Sequence, residues 1–222
     1  MDDFASLREK MVDSQIRTEN VTDYDVIAVM GRIPRERFVP ESQRALAYLD
    51  RDVPLGIAER GTPRFLMEPA PFARLVQLAE ITPNDVVLDV GCGTGYSAAV
   101  LASLAKSVVA LESDAKLAGE ARANLAALGI GNAKVVTGGL EGGYPASGPY
   151  DVIFLEGAVE AIPPLMLNQL RDHGRLVAVI GTGGSGVATL TTRNDGELGR
   201  RVAFNAGVGP LPGFRAMETF VF

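Results

Sequence analysis

Val86-Val87-Leu88-Asp89-Val90-Gly91-Cys92-Gly93-Thr94-Gly95-Tyr96 decides the architecture of this 222-residue chain. A short apolar run carrying one carboxylate reads as a buried strand. Three glycines then alternate with small residues, and an apolar helical segment begins at Tyr96. Glycine lacks a Cβ and accepts positive φ, so the chain can turn sharply there and a ligand can touch the backbone. The N–H groups that open the following helix carry partial positive charge and point outward. Strand, glycine loop and helix together predict a nucleotide-type cofactor site.

The spacing narrows the cofactor. The dinucleotide fingerprint is G-x-G-x-x-G/A. Here Gly95 comes one residue early, and Tyr96 stands where the third small residue belongs. Tyr96 is thus the main objection to a nicotinamide-dependent oxidoreductase. A G-x-G-x-G loop after a strand bearing an acid resembles motif I of the class I methyltransferases. In that family the loop packs against the methionine part of S-adenosyl-L-methionine. A second strand, Val108-Val109-Ala110-Leu111-Glu112, ends in an acid 23 positions beyond Asp89. That matches the roughly 20-residue spacing of a carboxylate that accepts from ribose hydroxyls. The plainer alternative is a tight turn and a solvated strand end, and it leaves their joint register unexplained.

Composition bounds the remaining possibilities. Apolar residues make up 47% of the chain, ample for one α/β core. The net charge of −6 argues against a nucleic-acid phosphate backbone as partner. The single cysteine, Cys92, forbids an intrachain disulfide and fits a reducing compartment. Cys92 has no adjacent basic residue, so it reads as a small loop residue and not a nucleophile. The acidic start Met1-Asp2-Asp3 has no apolar core typical of a signal peptide. The longest apolar stretch, 96–111, is interrupted by Lys106 and too short for a bilayer. A cytoplasmic protein with no membrane contact and no metal site is expected.

Residues 1–60 read as a polar helical extension punctuated by Pro34, Pro40 and Pro54, with a short helix over 41–48. Residues 61–222 read as the cofactor domain. The segment 56–69, which spans the junction, is loop-like, and a helix follows over 72–80. Strands are expected at 85–90, 107–112, 133–137, 150–155 and 174–180, with helices at 95–105, 115–128 and 163–171. Alternation of this kind implies a doubly wound, mostly parallel α/β sheet. Asn194-Asp195-Gly196 between 187–192 and 201–204 signals antiparallel C-terminal strands, and 217–222 reads as a closing strand.

The chain is similar to the protein-L-isoaspartate O-methyltransferase family over most of its length. The similarity rests on Met11-Val12-Asp13-Ser14-Gln15-Ile16-Arg17 and on Pro34-Arg35-Glu36-Arg37-Phe38-Val39-Pro40. It continues through Ala47–Asp50, Val53–Gly56, the glycine loop, Glu112, Pro149–Ile153 and Gln169–Val177. The resemblance implies a protein or peptide substrate carrying isoaspartyl residues. A carboxylate oxygen would attack the sulfonium methyl group, giving an ester that later collapses to a succinimide. S-adenosyl-L-homocysteine would be the product of the cofactor. A carboxylate is already a nucleophile near neutral pH, so alignment and exclusion of water are expected to carry the catalysis. His173, the one histidine, reads as a turn residue.

Two positions depart from the family pattern. The family's Thr-Ile-Ser-Gln-Pro segment, whose Ser sits beside the methyl group, becomes Phe65-Leu66-Met67-Glu68-Pro69. A thioether cannot donate a hydrogen bond, so no residue here takes over the Ser role by type. Arg64 (and Arg60) could bind a carboxylate or be solvated, and Glu68 brings an acid near the acceptor entrance. The family's adenine-binding Asp becomes Gly139, within Thr137-Gly138-Gly139-Leu140-Glu141, so Gly139 and Leu140 would contact adenine through backbone unless Glu141 reaches back. Glu156, after the fourth strand, lies where an open α/β sheet forms its ligand crevice. It is either a ligand-binding carboxylate or a solvated cap. These departures leave an alternative: a cofactor-binding relative without isoaspartyl activity, either docking a partner through an apolar 65–67 loop or methylating another acceptor.

Overall fold

The computed structural model describes residues 3–57, 61–182 and 184–214. The N-terminal segment holds helices α1 (Phe4–Met11) and α2 (Tyr24–Arg32), linked by a π-helical turn at Val12–Ile16. Asp3 and Asp23 cap them, each carboxylate accepting from backbone N–H groups of the first turn. Short 3₁₀ helices follow at Arg35–Phe38 and Glu41–Leu46, the latter within the short helix expected over 41–48. The segment read as a loop, 56–69, overlaps a hairpin, β1 (Val53–Ile57) and β2 (Pro63–Leu66), with a bulge between Pro54 and Gly56. A two-stranded ribbon tolerates proline because its outer N–H groups need no partner.

Next come α3 (Pro69–Leu78), β3 (Val86–Val90), α4 (Tyr96–Leu104), β4 (Ser107–Glu112), α5 (Ala115–Ala127), β5 (Ala133–Thr137) and β6 (Tyr150–Val159). The chain ends in α6 (Pro164–Leu167), β7 (Leu170–Thr182), β8 (Ser185–Asn194) and β9 (Glu197–Asn205). Seven strands form one sheet in the order β5-β4-β3-β6-β7-β8-β9. The first five are parallel, and β7-β8-β9 is an antiparallel meander. This is the doubly wound, mostly parallel sheet expected from sequence. The expected helix over 163–171 shrinks to four residues because Leu170 already pairs with Tyr150. The expected strand at 217–222 lies outside the described residues.

The sheet buries an apolar cluster on each face. One joins α3, α4 and α5 to the N-terminal segment through Met11, Ile16, Met30, Phe38 and Phe72. The other packs Leu88, Leu111, Ile153 and Leu176 against Leu140, Met166, Leu211 and Phe214. Strand order reverses between β3 and β6, so a crevice opens at their carboxyl ends. The β6 strand reaches that crevice through a bulge. Phe154 opposes Val177 and Ala158 opposes Val179, so the three residues 155–157 face the single residue Ala178 and two are extra. Such bulges re-aim side chains at functional sites, and this one carries Glu156. Residues 208–211 then return across the crevice, tied by Ala158 N–H to Gly209 carbonyl and Leu211 N–H to Ala158 carbonyl, both 2.8 Å.

Candidate active site

The glycine loop is largely satisfied by its own surroundings. Gly91 and Cys92 N–H groups donate to the Leu111 carbonyl, Gly93 N–H to Glu112 (2.8 Å), and Gly95 N–H to the Cys92 carbonyl. The glycines also divide their work. Gly95, at φ +96°, abuts α5: a Cβ there would meet Ala121 Cα at 3.2 Å. Gly91, at φ +86°, faces the crevice, and a Cβ would lie 2.6 Å from Leu211 Cδ2. Close approach on the crevice side therefore belongs to Gly91.

Glu112 is fully buried at the end of β4. Its Oε1 accepts from Ser113 N–H (2.8 Å), Asp114 N–H (3.0 Å) and Arg64 Nη1 (3.0 Å). Its Oε2 accepts from Gly93 N–H and from Arg64 Nη2 at 2.9 Å. Arg64 also donates to the Gly91 carbonyl (2.9 Å) and is itself only 3% exposed. The sequence offered Arg64 as a solvated or substrate-facing residue. It is instead a buried counter-ion brought from β2 to the tip of β4. Arg60 lies outside the described residues.

Asp89 is buried and accepts from the Ser97 hydroxyl (2.7 Å), while its second oxygen has no partner. Burial pushes its carboxyl up to about 7, and the nearby Glu112 charge adds to the rise. Glu156, half-buried on the β6 bulge, also keeps one buried oxygen without a partner. Burial again drives its carboxyl well up, with Asp89 contributing. Glu156 thus lies within a strand and is no helix cap. Burial also raises the Cys92 thiol, in keeping with an inert packing residue.

Tyr96 packs among Phe38 and Phe72, both at 5.5 Å, with the Arg35 guanidinium 5.0 Å from its ring centroid. Its contacts are to the core, and its buried hydroxyl has no partner among the described residues. Gly139 lies beneath the Glu141 side chain, whose carboxylate would be 3.4 Å from a Cβ at Gly139. Leu140 turns its side chain into the second core. His173 is exposed at φ +61°, beside Asp172.

The 65–67 segment is not a surface patch. Leu66 and Met67 are buried, and Phe65 lies against Gly209. Met67 lines a cavity of about 10 Å³ with Asp52, Arg64, Phe65, Glu156 and Leu211, room for roughly one water. Glu68 faces elsewhere: it lines a separate cavity of about 250 Å³ with Glu19 and Asp50. Burial, then Asp50 and Asp52, raise its carboxyl.

Two residues that sequence reasoning passed over organise this wall. Asp52 accepts from Glu68 N–H (2.9 Å) and Gly209 N–H (3.3 Å), joining α3 to the returning segment, and burial raises its carboxyl. Arg35 is fully buried and donates to the carbonyls of Ala47 (2.6 Å) and Met67. Its only sequence signal was its place in Pro34–Pro40.

The crevice floor suits an adenosyl ligand. It offers a bare backbone face at Gly91, a carboxylate at the neighbouring strand tip, and Glu141 beyond it. Arg64 and Leu211 stand over that floor. A doubly wound sheet with a glycine loop at its switch point and an acid one strand over defines a class I methyltransferase. The model of the family described as Protein-L-isoaspartate(D-aspartate) O-methyltransferase matches residues 6–206. A protein-L-isoaspartate O-methyltransferase of Koribacter versatilis is 36% identical over 95% of this chain and 92% of its own length. One from Synechococcus sp. is 40% identical over 81% of this chain and 72% of its own. A solved protein-L-isoaspartate O-methyltransferase superposes with a TM-score of 0.79 at 27% identity, covering 93% of this chain and 66% of that one. The chain belongs to the protein-L-isoaspartate(D-aspartate) O-methyltransferase family. Among the described residues no helix is long and apolar enough to cross a membrane.

Proposed function

We propose that this protein is an S-adenosyl-L-methionine-dependent methyltransferase that esterifies the carboxylate of isoaspartyl residues in damaged proteins. Family membership supports the activity. A Plasmodium falciparum protein of related fold (TM-score 0.75), a beta-aspartate methyltransferase by its description, was solved in complex with S-adenosyl-L-homocysteine. The observation that carries the reading is Glu112, a buried carboxylate at the β4 tip, 2.8 Å from Gly93 N–H and beside the bare face of Gly91. Bound there, the cofactor supplies an electrophilic methyl group.

The chain's own residues would hold and shield the reactants. Glu112 would accept from the ribose hydroxyls. Asp89, Gly91, Cys92, Gly93, Gly95 and Tyr96 form and back the floor. Gly139, Leu140 and Glu141 border the adenine end. Phe65, Leu66 and Met67 form an apolar wall that excludes water from the reacting carboxylate, which strengthens its interactions. Glu156 stands at the acceptor side of that wall. Residues 1–60 act as an extension of the 61–222 unit, and the reading includes a cytoplasmic location.

A methyl-transfer assay with paired isoaspartyl and aspartyl peptides tests this. Label is expected in the isoaspartyl peptide alone. Equal labelling of both, or none under saturating cofactor, overturns the proposal.

A further inference from the structure

The proposed reaction gives no task to Arg64, yet this guanidinium holds the carboxylate that the cofactor needs. We propose that Arg64 gates the site: it occupies Glu112 as the structure stands, and it exchanges that partner for Glu156 when the cofactor enters. This inference rests on the reading of Glu112 as the ribose acceptor.

Three observations support it. First, Arg64 is the only described side chain outside the β3 and β4 ends that bonds to Glu112; the other donors are Gly93, Ser113 and Asp114. Ribose hydroxyls can reach both oxygens only if the guanidinium leaves. Second, a buried guanidinium cannot be released into apolar surroundings without a partner. Glu156 lines the same cavity and has a buried oxygen with none. Third, Arg64 sits on the β1–β2 ribbon, outside the seven-stranded sheet, so it can shift without breaking that sheet's ladder. Leu211, packed against Gly91, closes the same floor from the other side. The gate makes cofactor binding the event that remakes the wall of the acceptor cavity.

The gate predicts the opposite sign from a merely structural role. Removing a strut weakens binding, whereas removing a competitor strengthens it. Calorimetric titration of the whole protein with S-adenosyl-L-homocysteine reads this without turnover. Arg64→Gln is expected to bind at least tenfold more tightly than the parent, and Leu211→Ala several-fold more tightly. Glu156→Gln is expected to bind several-fold more weakly, because Arg64 loses its destination. A parent that binds while Arg64→Gln binds no better overturns the gate and leaves the functional reading standing. If Arg64→Gln fails to fold, unchanged or weaker binding by Leu211→Ala overturns it instead. If neither the parent nor any variant binds at millimolar ligand, the functional reading falls, and the gate with it.

Discussion

Arg35 should be one of the costliest single side chains to remove. It sits in the Arg-Glu-Arg-Phe turn, fully buried, and its guanidinium spans two chain segments. Nε donates to the Ala47 carbonyl at 2.6 Å, Nη2 donates to the Met67 carbonyl, and the plane lies 5.0 Å from the Tyr96 ring centroid. Burial lowers its pKa, with Tyr96 and Asp52 opposing that fall. Each hydrogen bond from a charged donor is worth about 1.5–3 kcal/mol. The desolvated cation–π contact adds about 2 kcal/mol. Against these stands the cost of burying the charge, which Arg35→Ala would relieve. The variant also leaves two carbonyls without a donor and a void beside Tyr96. The balance is a loss of about 3–5 kcal/mol, a large part of an ordinary domain's stability.

Urea denaturation followed by far-ultraviolet circular dichroism measures that loss. Arg35→Lys separates charge from shape. It keeps the cation but has no planar fork to reach both carbonyls, so it should recover only part of the loss. A cost below about 1 kcal/mol for Arg35→Ala, or a lysine variant as stable as the parent, would refute the assignment of Arg35 as the tie between the N-terminal turn and the Met67 wall.

Three further outcomes are expected. Gly91→Ala places a Cβ at φ +86° and 2.6 Å from Leu211 Cδ2; it should cost about 1–3 kcal/mol in denaturation and abolish cofactor binding by calorimetry. Asp89 titrates near 7 in the folded protein against an ordinary 3.8, so the folded state holds the extra proton between those values. Its contribution to stability is complete below about pH 4 and is lost as pH rises through 7, so Asp89→Asn should gain on the parent by on the order of 4 kcal/mol across that window. Parallel pH curves of melting for the two proteins would contradict this. Met67→Ser supplies a hydroxyl donor to the cavity wall and should raise kcat/KM on an isoaspartyl peptide by up to about tenfold; an unchanged value would show that the acceptor carboxylate lies elsewhere.

The parts of this molecule that a sequence reveals are those fixed by local pattern. The β3 strand, its glycine turn, Glu112 and the alternation into β6 follow from short-range periodicity and spacing. The β1–β2 ribbon escaped because Pro54, Gly56 and Pro63 carry turn signals, and only pairing across residues 53–66 makes them strands. The helix over 163–171 was overestimated because apolar spacing does not register where a strand captures Leu170. Arg64 and Arg35 escaped for a different reason. A charged residue reads as exposed unless its partner is known, and these partners lie 48 and 32 positions away. Glu156 was legible as a crevice residue from topology alone, but the burial of one of its oxygens depends on the bulge and on the segment at 208–211.

Charge balance explains why so many ionisable groups can share this crevice. Asp52, Asp89, Glu112 and Glu156 face two buried cations, Arg35 and Arg64. Four full negative charges against two positive ones would be untenable away from water. Burial resolves the excess by holding Asp89 and Glu156 toward their protonated forms, while the bidentate contact of Arg64 and three backbone N–H groups stabilise Glu112.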